Sequence, residues 1–96
     1  MEKRNNTYHL DLKEISLKDG STGSKTLSLE FKNHDDLFHI FELIRNKNIF
    51  DNEQTANEFA LGLKLFTEVM ITHKDLPIFE ELKPAIGSFM KKLKSL

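Results

Sequence analysis

The sequence predicts an α+β domain in the order β-β-α-α-α, an N-terminal antiparallel β-hairpin packed on three to four helices with one long central helix. Three observations predict it. Apolar and polar residues alternate over two short stretches near Tyr8 and Phe31, separated by turn chemistry. Apolar residues then recur at helical spacing across Asp51–Lys74. Two further amphipathic stretches flank that segment, one on each side.

The chain has 96 residues, a length that suits a single domain spanning 1–96. Residues 1–6 are polar and are expected to fray. The hairpin is expected over residues 7–32. Tyr8, Leu10 and Leu12 alternate with His9, Asp11 and Lys13, then the phase slips, and Ile15 and Leu17 continue the apolar face only if one residue is absorbed near Lys13–Glu14 as a β-bulge. Lys18–Ser24, with two glycines, is turn chemistry too long for a two-residue hairpin. Leu27, Leu29 and Phe31 give the second strand. Pairing Leu17 with Leu27 then sets Ile15 against Leu29 and Leu12 against Phe31. The turn lacks a P-loop pattern and leads into a strand, so it is not read as a phosphate cradle.

The next helix is expected over residues 34–47, capped by Asn33, with Leu37, Ile40, Phe41 and Ile44 inward and the Asn46-Lys47-Asn48 run ending it. Residues 52–74 form the central helix. Asp51 with Gln54 resembles a capping box, and Asn52 is the alternative cap. Ala56, Phe59, Leu63, Phe66 and Met70 fall on one seam, flanked by Ala60 on one side and by Gly62, Val69 and His73 on the other. Glu53, Asn57, Lys64, Glu68 and Thr72 form the only wedge suited to water. So little polar surface implies that the helix is covered on two or more sides. Gly62 costs about 1 kcal/mol against alanine inside a helix. A crossing helix or sheet that needs the space is one explanation, and a ligand or partner chain against the backbone is the other. Two helices, 77–83 and 84–94, are expected to follow, with a kink or break at Pro84.

No activity motif is present. His9, His34, His39 and His73 offer no spacing that assembles three or four zinc ligands, so no metal site is expected. Asp35-Asp36 and Glu80-Glu81 are adjacent pairs that diverge on a helix and cannot converge on one bond. No catalytic residue and no cofactor are expected. The 14 Lys plus Arg against 15 Asp plus Glu leave a net charge of -1, and only Lys91, Lys92 and Lys94 cluster, so nucleic acid is not expected as a partner. No apolar run of about 18 residues or more spans a membrane, no secretory signal opens the chain, and cysteine is absent; a cytoplasmic location is the expectation.

Several strings, Asn33-His34-Asp35-Asp36-Leu37-Phe38, Asn48-Ile49-Phe50, Leu61–Met70 and Phe89–Lys94, together resemble small bacterial proteins grouped as the domain of unknown function 3861. The resemblance runs from about Tyr8 to Lys94. It implies a stand-alone bacterial protein of this size and carries no catalytic residue, cofactor or activity.

The functional expectation is therefore a non-enzymatic cytoplasmic protein-interaction module that self-associates as a homodimer or binds another protein. Its partner surface is placed on a hairpin edge or on Leu61, Leu65 and Ile71, apolar residues within or bordering the polar wedge. The competing expectation is a small-ligand-binding protein or enzyme with a site near Asp35, Asp36 and His39.

Overall fold

A computed structural model describes residues 4–96. Part of the expected frayed stretch, residues 1–3, lies outside the described residues, and Asn6 already belongs to a strand. The fold is a two-stranded antiparallel hairpin followed by three helices, an α+β arrangement. The chain divides into two compact units at Asp36/Leu37.

In the first unit, β1 (Asn6–Lys13) pairs with β2 (Thr26–Asn33). The register departs from expectation: Tyr8 faces Phe31, Leu10 faces Leu29 and Leu12 faces Leu27. No bulge interrupts β1. The one-residue offset lies instead in the returning chain near Ser24, because Glu14 N–H donates to Lys25 O whereas Gly23 N–H donates to Ile15 O. Ile15 and Leu17 are thus part of the excursion between the strands, not of the ladder. The turn at residues 18–20 falls within the expected Lys18–Ser24 stretch, and what fails is the pairing of Leu17 with Leu27, since the chain passes closely at Gly23, where an added Cβ would lie 2.3 Å from Glu14 Cβ. Within the excursion Ser16 bridges Thr22, and Gly20 takes φ 90° in a turn where Asp19 Oδ1 accepts from Ser21 N–H at 2.9 Å.

Asn33 does not cap the following helix. It ends β2 almost fully buried, its Oδ1 accepting from Asp35 N–H at 2.9 Å. The Asp35 carbonyl accepts from the Tyr8 hydroxyl at 3.2 Å and from Asn6 Nδ2 at 3.3 Å.

The second unit begins with α1 (Leu37–Asn46), later than expected because the Asn33–Asp35 turn occupies the preceding residues. Asn48 adopts φ 55°, the left-handed geometry that asparagine tolerates, and its N–H donates to Arg45 O as the helix ends. An unbroken α2 (Glu53–Thr72) follows, capped by Asn52, not Asp51: Asn52 Oδ1 accepts from Thr55 N–H at 2.8 Å. Pro77–Phe79 forms one 3₁₀ turn in place of the helix expected to Lys83. Pro84 neither kinks nor breaks the last helix, α3 (Leu82–Lys94). It sits in the first turn, where backbone N–H groups have no intrahelical partner and a missing donor costs little.

The core of this unit is built from Ile44 of α1, Ala56 and Ala60 of α2 and Leu93 of α3, with Ile40, Phe41, Phe50, Phe59, Leu63 and Met90 packed around it. Phe59 joins Phe50 at 5.2 Å and Phe89 at 6.2 Å between ring centroids, tying the α1–α2 corner to α3. Two alanines at the centre let the helices approach closely. That choice also rotates α2: the buried residues are Ala56, Ala60, Thr67 and Met70, so Ala60 moves from the flank of the expected seam to its centre. Val69 turns outward in exchange, and Phe66 leaves the inner seam to meet the Phe79 ring edge-on at 6.2 Å between centroids.

Candidate functional site: apolar surfaces on the hairpin and the central helix

The polar face of the hairpin carries a cluster of chemically versatile side chains. Asp11 Oδ1 accepts from Ser28 Oγ at 2.5 Å and lies 2.8 Å from His9 Nε2. The cross-strand pairing of Asp11 with Ser28, and the two-residue spacing of His9 and Asp11 on one face, bring the three together. The Ser28 hydroxyl foremost, and the His9 imidazole after it, hold the Asp11 carboxyl below its ordinary value of 3.8. A nucleophile relay needs the imidazole between carboxylate and hydroxyl. Here both bond the same carboxylate oxygen, so His9 is not placed to take the Ser28 proton, and the cluster serves as a cross-strand tie. Register alone revealed it; no short motif could have.

The residues of the ligand-site expectation divide between the units. Asp35 is half-buried with its Oδ2 3.6 Å from His34 Nε2, Asp36 is exposed, and His39 is exposed on α1. Among the described residues no group of three His, Asp or Glu side chains is placed to hold a metal ion. In the second unit an open apolar groove of about 340 Å³ lies between Phe50, Phe59 and Phe89, with Lys92 at its rim.

The larger feature is apolar side chains facing outward. On the hairpin Leu12, Leu27 and Leu29 are 64%, 54% and 42% exposed. All three share the face opposite the Asp11 cluster. On α2, Phe66 is 41% and Val69 52% exposed, and half-buried Leu61 and Leu65 lie on the same side of the helix. Ile71 is also exposed, but the six-residue step from Leu65 turns it about 120° around the axis. The outward face is therefore Leu61, Gly62, Leu65, Phe66 and Val69. Gly62 sits at its middle, and nothing stands within 4 Å of where its Cβ would be. The sequence pattern placed Gly62, Phe66 and Val69 on or beside the inner seam; the rotation forced by Ala60 put them outside.

These features describe a small hairpin-plus-helices protein with apolar side chains exposed on the hairpin and on α2. No helix among the described residues is long and apolar enough to cross a membrane. Residues 6–95 match the domain of unknown function DUF3861, a family with a solved structure, and the chain belongs to that family. It is similar, at 33% identity and a TM-score of 0.84, to the crystal structure of a protein of unknown function from Pectobacterium atrosepticum, over 97% of this chain and 100% of that one. No curated protein matches the sequence.

Proposed function

We propose that the protein is a non-enzymatic cytoplasmic interaction module that operates as a homodimer. The observation that carries this reading is exposed apolar side chains: Leu12, Leu27 and Leu29 on the hairpin and Val69 on α2 are each more than two-fifths exposed. Leucine and valine are the kind of surface that association removes from water. A near-neutral chain also lacks the self-repulsion that keeps apolar surfaces apart.

Light scattering coupled to size exclusion, repeated over a wide concentration range, tests the proposal. The expected mass is twice the 11.2 kDa of the chain, falling toward one chain only on dilution. A mass of one chain at every concentration would refute it.

A further inference from the structure

We infer that the groove between Phe50, Phe59 and Phe89 binds a medium-chain aliphatic carboxylate, with the hydrocarbon chain between the rings and the carboxylate on Lys92. The groove lies wholly within the second unit, Leu37–Leu96, and shares no residue with the hairpin leucines or with Val69, so the inference is independent of self-association. Its volume of about 340 Å³ falls within the range of small-molecule sites. At about 30 Å³ for each water-sized group, it admits a ligand of about ten carbon and oxygen atoms. Phe50 and Phe89 each meet the Phe59 ring, at interplanar angles of 51° and 65°, so the rings do not stack flat and the groove stays open between them. Ile49 and Leu93 extend the apolar lining. A hydrocarbon chain laid there leaves water and covers the exposed part of Phe89.

Charge decides the other end of the ligand. Lys92 is the one charged side chain on the lining, and no aspartate or glutamate joins it. Its Nζ has no hydrogen-bond or ion-pair partner among the described residues. Leu96 O, at the same groove, is already engaged, accepting from Lys47 Nζ at 3.0 Å. Lys91 and Lys94 stand with Lys92 in the last turn of α3, so the field at this end of the groove favours an anion. The methylene stem of a lysine continues an apolar wall while its ammonium stays in water, where a carboxylate at the mouth of the groove meets it. A carboxylate with a hydrocarbon chain is thus complementary at both ends. A neutral alcohol leaves Lys92 unused, and an amine is repelled by it.

The test titrates octanoate into the full chain and follows the phenylalanine ring signals by NMR. Shifts at Phe50, Phe59 and Phe89 are expected to saturate together below about 10 mM. 1-Octanol is expected to bind about threefold more weakly than octanoate, and octylammonium about tenfold more weakly. Lys92→Glu is expected to weaken octanoate about tenfold and to turn the preference toward octylammonium. Lys91→Glu makes the same charge change on a residue outside the lining, and it is expected to alter octanoate affinity by less than about threefold. Ring shifts that stay linear to that concentration, or that are largest at Phe38 or Phe66, overturn the inference. So do equal affinities for octanoate and 1-octanol, or an equal loss in the two lysine variants. The mass of the chain in solution decides self-association separately, so either reading can fail without the other.

Discussion

Gly23 is where a single methyl group has the most to disturb. An alanine Cβ there would stand 2.3 Å from Glu14 Cβ and 3.1 Å from its carbonyl carbon. Carbon atoms normally meet at about 3.5–4.0 Å, so the two segments must separate by roughly an ångström. Glu14 is not free to yield. Its N–H donates to Lys25 O at 2.9 Å, and its Oε1 accepts from Lys25 N–H at 2.9 Å. Gly23 itself donates to Ile15 O at 3.0 Å. Separation lengthens at least one of these bonds, at about 1 kcal/mol, and overpacking adds about 1–3 kcal/mol. Gly23→Ala is therefore expected to destabilise the excursion by about 2–3 kcal/mol. Native-state hydrogen exchange reads this directly, since each 1.4 kcal/mol is tenfold; the Glu14 and Gly23-position amides are expected to exchange roughly 30- to 150-fold faster. The paired control is Gly62→Ala. With open space at the site, it is expected to make α2 more stable by about 0.8–1 kcal/mol in the free chain. Exchange at the two hairpin amides within threefold of wild type would refute the packing argument.

Other outcomes follow from single contacts. Asn52→Ala removes the acceptor for Thr55 N–H and is expected to lower stability to urea by about 1 kcal/mol. Ile44→Ala empties a site in the α1–α2–α3 core, with an expected loss of about 2–4 kcal/mol in the same titration. Ser28→Ala is expected to raise the Asp11 pKa toward 3.8, followed by its carboxyl carbon shift in an NMR titration, since the Ser28 hydroxyl bond is the largest cause of the depression. The sign for stability is that of a depressed carboxylate. The contribution of Asp11 is present above the unfolded pKa and is lost as pH falls through the folded value, so wild type and Ser28→Ala should converge only at strongly acidic pH.

What was legible in the sequence was whatever depends on near neighbours. Alternation placed the second strand within about a residue of its observed ends but carried the first past Lys13 to Leu17, and Asn48 marked the end of α1 because asparagine accepts a positive φ. The candidate partner residues Leu61 and Leu65 were visible as an apolar intrusion into a polar wedge. Gly62, Phe66 and Val69, which complete that face, were not. Helical periodicity gives the relative angles of side chains but not which angle points to the core.

Local chemistry by itself determined the order β-β-α-α-α, the continuity of α2 and the absence of any recognisable catalytic motif, since each follows from residue spacing along the chain. Tertiary structure alone decided the hairpin register, the Asp11–Ser28–His9 tie and the orientation of α2. Each of those depends on how closely two distant segments approach, and that distance is set by small residues: Gly23 against Glu14 in the hairpin, and Ala56 and Ala60 between the helices.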